Sequence, residues 1–261
     1  MGKFLRIFAI VMLLFVSLPN LIVVIASFSA DRVLEFPPSG MSVRPYAQML
    51  SDANIRSALI RSLAVGIESV AISLPVGVAA AIALFRYRIR LRSIIVGFLT
   101  LGFSAPLVVS GMAFLVLYIR FGLYGSLWST GLALTIVNLP FLLFSVAASV
   151  VNLSPELEDA AATLGADPAE TFLFVTIPGL MPGNLTGSIL MFVFGITEFL
   201  VSLILSTVSN QTLPVVMFGS LRGAVSPMLA AAGGVYIAVA CLVILAISRL
   251  QSLESFLYRA E

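Results

Sequence analysis

The chain carries one long polar stretch between two apolar runs, SPELEDAAATLGADPAETFLFVTIPGLMPG, residues 154–183, with five acidic residues and no basic one. Ser154, Pro155 and the acids behind them are typical of a helix start, because a hydroxyl can cap free N–H groups and carboxylates favour the positive end of the helix dipole. This helix is expected to end at Gly165. Its apolar residues recur at helical spacing and form a narrow, mostly small stripe: Leu157, Ala160, Ala161 and Leu164.

A second short helix is predicted directly after the first. Asp167 is a typical cap, Pro168 suits the first helical position, and Glu170 stands at the capping-box position. The helix is expected to stop at Ile177-Pro178, because proline cannot continue the hydrogen-bond ladder. The two helices could pack as an interfacial hairpin on their own bundle or bind a protein. The lack of lysine and arginine argues against a lipid-binding surface, and the small alanines favour a protein partner.

The composition places the chain in a lipid bilayer. Of its 261 residues, 60% are hydrophobic and 10% are charged, and the mean hydropathy is +1.14, whereas about a quarter of the residues in a soluble domain are charged. The net charge of +2 is spread without a dense basic block. Binding to nucleic acid and a polybasic lipid anchor are therefore not indicated.

Six transmembrane helices are predicted, in one all-α domain covering residues 1–261, because a helix needs about 20 apolar residues to cross a bilayer. The first run resembles a signal peptide, with SFSA before Asp31 as a cleavage site, but its apolar part exceeds the usual length of about 7–15 residues. We therefore expect an uncleaved helix. The predicted spans are about 7–28, 58–85, 94–119, 127–150, 185–205 and 228–247.

The orientation in the membrane is predicted from lysine and arginine near the helix ends. With both termini in the cytoplasm, the loop 154–183 is cytoplasmic too, since acids contribute little to this rule. The cytoplasmic side then holds Lys3, Arg6, Arg86, Arg88, Arg90, Arg92, Arg249 and Arg259. The other side holds Arg32, Arg44, Arg56, Arg120 and Arg222, spread over longer loops.

Missing residue types exclude several kinds of site. The chain has no histidine, one cysteine (Cys241) and one lysine (Lys3). A catalytic histidine, a Cys/His zinc site and an internal disulfide are excluded, and a membrane enzyme is disfavoured because no nucleophile with its base can be assembled. A phosphate-binding loop of the Walker type needs a Gly-Lys pair, which is absent after residue 3. If the protein uses ATP, another chain binds it.

The acidic stretch resembles the EAA loop that defines the membrane subunits of ABC importers. The motif residues are Glu158, Asp159, Ala160, Ala161, Gly165, Ile177 and Pro178, with Pro182 beyond. The resemblance implies a type I ABC importer permease fold, in which this loop is a coupling helix pair that docks on a cytoplasmic ATPase. The lead glutamate of the motif aligns with Asp159, whose side chain is one methylene shorter, so Glu158 could share its ion-pairing role. Leu164 is included among the expected coupling residues.

Other segments narrow the resemblance to the polyamine-type permeases, a group that also handles ferric iron, sulfate-like oxyanions and phosphonates. EFPPSGMSVRPYAQML (35–50) is similar to the extracytoplasmic segment of that group, and GITEFLVSLIL (195–205) to its fifth helix. The second-subunit type, with six helices and a short N-terminus, fits best. The resemblance implies a bacterial inner-membrane protein, and a polyamine-like amine is the favoured solute.

Ionisable side chains at membrane depth are the candidates for contact with the solute, because such groups are costly to bury without a role. Glu198 lies in the predicted fifth helix, where related permeases often carry acids, and Glu68 lies in the second. Each could instead hydrogen-bond within the bundle and fix its packing. Ser104-Ala105-Pro106 and Asn138-Leu139-Pro140 predict breaks in helices three and four. These breaks could line the pathway, with Asn138 as the candidate residue, or could merely bend the helices.

The resemblance implies an assembly that works by alternating access. Its expected partners are a second homologous permease, two copies of a cytoplasmic ABC ATPase that bind ATP and magnesium, an extracytoplasmic solute-binding protein and membrane lipid. No cofactor and no nucleic acid are expected on this chain, which is not expected to be an enzyme. The alternative is a homodimeric secondary transporter or channel that uses Glu68 and Glu198 as ion sites and needs no ATPase.

Overall fold

The computed structural model describes residues 2–221 and 226–257 and consists of helices joined by short connections. Within these residues, β-structure is limited to an isolated bridge between Ser29 and Met41. The all-α prediction is therefore confirmed. Arg222 and Arg259, which were used to predict the orientation, lie outside the described residues.

The helices divide between two compact units, which we describe separately. One unit consists of Met1–Leu59 and Val215–Leu242, and the other of Ile60–Pro214 and Val243–Glu261. In chain order the helices are α1 (Gly2–Ser27), α2 (Arg44–Ser51), α3 (Ala53–Arg86), α4 (Arg92–Ser104), α5 (Leu107–Phe121), α6 (Leu127–Asn152), α7 (Pro155–Thr163), α8 (Pro168–Thr171), a π-helical segment (Phe172–Thr176), α9 (Ile177–Gly179), α10 (Met181–Thr197), α11 (Leu200–Leu205), α12 (Leu213–Ser220) and α13 (Pro227–Leu257).

Several of these helices are long and apolar enough to cross a membrane. Among the described residues, α1 from Leu5, α3 and α6 meet this criterion alone, and two bent helix pairs could each supply one more span. The apolar part of α13 is shorter, Pro227–Val243. These three to five spans agree with a multi-pass membrane protein, while the number six and the orientation stay predictions.

Two of the predicted spans are interrupted. The third, 94–119, bends by 97° between α4 and α5, because Ala105 is extended before Pro106, as residues before proline prefer. This break was predicted. The fifth, 185–205, was predicted as one helix, and the structure corrects this: α10 ends at Thr197, and Glu198 is extended at φ −65° and ψ 130° before α11 begins.

The predicted break at Asn138-Leu139-Pro140 is wrong, because α6 runs through it without interruption. All three residues are buried. Neighbouring helices pack closely on this part of α6: a Cβ at Gly102 of α4 would lie 3.4 Å from the carbonyl oxygen of Ile136. Such neighbours allow a membrane helix to tolerate an internal proline.

The helix α6 forms the centre of the unit that contains residues 60–214. Of its most apolar window, 61% is buried, compared with 28% for α3. It packs against α4, α5, α10 and α11. Its core cluster joins buried residues of α3, α6 and α10: Val78, Ala81, Leu84, Leu142, Leu143, Val146, Ala147, Val150 and Met191, together with Leu180 between α9 and α10.

Two glycines let α10 approach α6 closely. A Cβ at Gly183 would lie 2.6 Å from the carbonyl oxygen of Ser145, and one at Gly187 would lie 2.9 Å from the Cα of Leu142. Small residues four apart on one face are the usual device for close helix packing in membranes. This contact therefore holds the first half of α10 close against α6.

In the other unit, the segment after α1 is held by Asp31. Its carboxylate accepts hydrogen bonds from the hydroxyl and the backbone N–H of Ser39, and from the hydroxyl of Ser29. These bonds, led by the Ser39 hydroxyl, favour the charged form and lower the pKa of Asp31. Nearby, the hydroxyls of Ser27 and Tyr46 lie 2.7 Å apart and join the end of α1 to α2.

Candidate functional site

The first candidate site is the acidic loop, whose first helix is α7. Ser154 occupies the N-cap position and Pro155 begins the helix, as predicted. The predicted capping hydrogen bond is not formed, because the Ser154 hydroxyl instead lies 3.3 Å from a carboxylate oxygen of Glu156. The turn after the helix requires Gly165, whose φ is +94°, a conformation that residues with a Cβ rarely adopt.

The second helix of the loop begins as predicted and ends later than predicted. Asp167 accepts hydrogen bonds from the backbone N–H groups of Ala169 and Glu170, and the Glu170 carboxylate accepts one from the N–H of Asp167. The expected stop at Ile177-Pro178 is wrong, since the helix continues to Gly179. A π-helical segment precedes Pro178, and its wider turn relieves the clash that a proline ring makes with the carbonyl four residues earlier.

One side of α7 faces outward. Asp159, Ala160, Thr163 and Leu164 are exposed, and Leu164 has 89% of its side chain accessible. We call these four residues the outer patch. The patch combines an exposed leucine, a small alanine and a carboxylate, a set of groups that a protein partner could contact. Ala161, another predicted coupling residue, is half-buried, as is Ile177, which packs against the core cluster, whereas Pro178 is exposed.

The opposite side of α7 is tied to the transmembrane core through Glu158. One carboxylate oxygen of Glu158 forms an ion pair with Arg86 at 2.5 Å, and the other accepts a hydrogen bond from the hydroxyl of Thr176 at 2.8 Å. Arg86, the last residue of α3, also donates to the backbone carbonyl of Leu153 at 3.1 Å. Beside this junction lies a cavity of about 420 Å³, lined by Arg86, Glu158, Asp159 and Thr176 among others.

The second candidate site is the break between α10 and α11, where Glu198 lies. Its carboxylate accepts hydrogen bonds from the backbone N–H groups of Val201 at 2.9 Å and Ser202 at 3.0 Å. Glu198 therefore caps α11, and a carboxylate at this end also meets the positive end of the helix dipole. The side chain is half-buried, so the same carboxylate can meet a solute.

Glu198 and Asn138 line one cavity of about 270 Å³. Phe103, Phe141 and Phe194 also line it; the rings of Phe141 and Phe194 are stacked with centroids 4.3 Å apart, and Phe103 meets Phe141 edge-on at 5.0 Å. The amide nitrogen of Asn138 is buried and has no hydrogen-bond partner within the chain. A carboxylate and aromatic side chains together suit an organic cation, whereas the free N–H of Asn138 is a donor and would not bind one.

Glu68, the third pathway candidate, lies elsewhere. It packs against Gly131 of α6, where a Cβ would overlap its carboxylate. One of its carboxylate oxygens is buried without a hydrogen-bond partner, as is the hydroxyl of Tyr118, which is near enough to interact with Glu68 electrostatically. The structure therefore places Glu198 and Asn138 at one cavity, and Glu68 is not among the residues that line it.

Two components of these sites have no local signal in the sequence. Arg86 was counted only as an orienting charge, and its pairing with Glu158 spans 72 residues without a local signal. The aromatic cluster of Phe103, Phe141 and Phe194 also joins three helices that are distant in sequence. Within the described part of the chain, no cluster of three or more His, Cys, Asp or Glu side chains could hold a metal ion.

Comparison with known proteins gives a family match and several relatives. The family model described as "Binding-protein-dependent transport system inner membrane component" matches residues 73–253. The spermidine/putrescine transport system permease protein PotC of Haemophilus influenzae is 27% identical over 84% of this chain and 85% of its own length. The putrescine transport system permease protein PotI of Escherichia coli is 28% identical over 82% and 78%, and the sulfate transport system permease protein CysW of Synechococcus elongatus is 28% identical over 76% and 77%.

Solved structures show the same fold. A bacterial ABC transporter that imports the acidic polysaccharide alginate has a TM-score of 0.69 at 19% identity, covering 96% of this chain and 95% of that one. The MetNI methionine ABC transporter, in an inward-facing conformation, has a TM-score of 0.60 at 18% identity, covering 80% and 97%. With the multi-pass helical architecture and a family match over more than half of the sequence, this chain belongs to the family of binding-protein-dependent transport system inner membrane components, the permease subunits of ABC importers.

Proposed function

We propose that this permease subunit is driven by a separate ATPase that docks on the outer patch of α7, and that it imports a small organic amine by alternating access. The observation that carries the ATPase part is the pair of short helices in the acidic loop, together with the outer patch of α7. Leu164 is almost fully exposed, Ala160 allows another backbone to approach, and Asp159 offers a carboxylate to a basic residue of the partner. In this reading the loop faces the cytoplasm.

An ATP-driven importer of this kind needs several partner proteins. The ATPase, in two copies, supplies the ATP and magnesium sites of the complex. A second, homologous permease completes the pathway, and a solute-binding protein delivers the solute on the extracytoplasmic side. The structural relatives support this kind of assembly, since MetNI is an ABC transporter and the alginate ABC transporter was solved in complex with a solute-bound periplasmic protein.

The solute class is proposed from the cavity at the helix break. Glu198 provides negative charge, and the faces of Phe141 and Phe194 can stabilise an ammonium group by about 0.5–2 kcal/mol. Two relatives named for spermidine or putrescine agree with an amine, whereas the sulfate permease shows that the family also serves an anion.

The test is reconstitution of the chain with its cognate permease, ATPase and binding protein in proteoliposomes. Labelled putrescine and spermidine are compared with labelled sulfate, with ATP or a non-hydrolysable analogue on the ATPase side. We expect uptake of an amine that requires both ATP hydrolysis and the binding protein. Uptake without ATP would contradict the importer mechanism and favour the secondary transporter. ATP-driven uptake of sulfate alone would contradict only the proposed solute.

A further inference from the structure

The structure points to a coupling role for Arg86, which the family match does not assign. We propose that Arg86 is a positioning residue that transmits movement of α7 into α3 through its ion pair with Glu158. This inference rests on the proposed function, because it presupposes that a partner moves α7. It deepens that proposal by naming the connection inside this chain along which the movement passes.

The geometry of Arg86 supports this role. Its guanidinium bridges two elements: one nitrogen meets Glu158 of α7 at 2.5 Å, and another donates to the carbonyl of Leu153, the residue after α6, at 3.1 Å. The side chains of Arg86 and Glu158 are only 20% and 27% exposed. A partly buried, fork-shaped contact of this kind is shielded from water and fixes direction as well as distance.

Glu158 extends the connection to the second half of the loop. Its other carboxylate oxygen accepts the hydroxyl of Thr176, which is buried at the end of the π-helical segment. A single carboxylate thus joins α3, α7 and the segment that leads into α10. Because both of its oxygens are engaged inside the chain, we infer that Glu158 is not the residue that meets the partner, which leaves Asp159 for that contact.

Side-chain packing around the Arg86–Glu158 ion pair is too incomplete to carry much of the movement of α7 into α3. The cavity of about 420 Å³ lies between the loop and the ends of α3 and α6, so side-chain packing is incomplete here. The apolar contacts between the loop and the core cluster are made by Ile177 and by Leu180, which is itself part of the cluster. Both residues follow the π-helical segment, so they are separated from α7 along the chain. A push on α7 therefore reaches α3 most directly through Arg86.

The neighbouring arginines provide matched controls. Arg88 and Arg90 are exposed and lie in the same short connection, and Arg92 lies over the ring of Phe85 at 4.2 Å. All four arginines carry the same charge, so replacing any of them would show a general effect of positive charge on orientation or lipid binding. An effect of the ion pair with Glu158 would appear only when Arg86 is replaced.

The experiment measures ATP hydrolysed per solute imported by the complete complex in proteoliposomes. Arg86→Gln and Glu158→Gln are each expected to raise this ratio about tenfold, within the range by which residues along a coupling network change coupling. The double variant should resemble either single one, because both remove the same contact. Thr176→Val should raise the ratio less, Arg86→Lys should restore part of the coupling, and Arg88→Gln should match the wild type.

Three results would overturn the inference. The first is an unchanged ratio in Arg86→Gln, and the second is a double variant whose effect is the product of the two single effects. The third is loss of the ATPase from purified Arg86→Gln and Arg86→Lys complexes alike, which would make the arginine merely structural. Failure of the proposed function is recognised separately, because in that case the wild-type complex itself would show no ATP-dependent uptake.

Discussion

Replacement of Gly165 by leucine should uncouple the transporter without unfolding it. Gly165 has a φ of +94°, and a Cβ built there would meet nothing within 4 Å. The intramolecular penalty is therefore backbone strain alone, about 1–3 kcal/mol. This is less than the roughly 5–15 kcal/mol that stabilises a typical fold. We expect the variant to insert, to associate with its partner permease and to keep the thermal stability of the chain within a few degrees.

The expected loss lies in the contact with the ATPase. The leucine side chain would project into the open space beside the outer patch, where the ATPase is proposed to dock. Strain of about 2 kcal/mol at the end of α7 also lowers the population of the docking conformation, by up to about thirtyfold where the loop is only marginally stable. Together these effects should abolish ATP-driven uptake. The assay is ATP-dependent uptake in proteoliposomes, with bound ATPase quantified after purification.

Gly122 is the matched control for this prediction. It also has a positive φ, +66°, and a Cβ there would likewise meet nothing within 4 Å, but it ends α5 rather than a helix of the acidic loop. Gly122→Leu should therefore carry a similar strain and retain coupling. The reasoning is refuted if Gly165→Leu transports normally, or if the two variants lose uptake to the same degree.

Three further predictions concern other parts of the chain. Glu198→Gln removes the charge of the cavity and should raise the KM for an amine about tenfold, measured by initial uptake rates; unchanged rate and affinity would make Glu198 purely structural. Gly183→Ala forces a Cβ against the backbone of α6 and should destabilise the chain by about 1–3 kcal/mol, seen as a lower Tm in detergent, whereas Gly97→Ala, with open space around it, should not. The lowered pKa of Asp31 means that its stabilising contribution is complete above the pKa of the unfolded side chain and is lost as pH falls through the lower folded value. The amide of Ser39 should then lose protection in hydrogen exchange at acid pH, and Asp31→Asn should remove this pH dependence.

Local signals predicted the start of the second loop helix and the turn after the first, because the relevant interactions lie within a few residues. The capping box of Asp167 and Glu170 forms as expected, and Gly165 adopts the left-handed conformation that its place after α7 indicated. These features depend on backbone geometry and on neighbours three residues apart. Features of this kind can therefore be predicted from the sequence alone.

Three prolines had different effects on their helices, and the sequence predicted only one of these effects, the break at Pro106. Pro106 breaks the chain between α4 and α5, Pro140 remains inside a buried continuous helix, and Pro178 is accommodated after a π-helical segment. Conversely, the chain breaks at Glu198 without a proline or glycine at that position, and the carboxylate caps the helix that follows. The break before Pro106 follows a local preference of Ala105, and the Glu198 carboxylate bonds N–H groups only three and four residues ahead. The continuous helix at Pro140 depends instead on close packing by neighbouring helices.

The adjacent acids Glu158 and Asp159 show how such contacts also assign roles. Successive residues on an α-helix point about 100° apart, so two neighbouring side chains cannot both face the same partner squarely. The sequence left open whether Glu158 shares the ion-pairing role of Asp159. Since Glu158 is engaged by Arg86 and Thr176 while Asp159 is exposed, we infer a division in which one acid receives the movement and the other passes it into the membrane helices. Exchanging the two roles would require α7 to rotate, and that rotation would break the contact with α3.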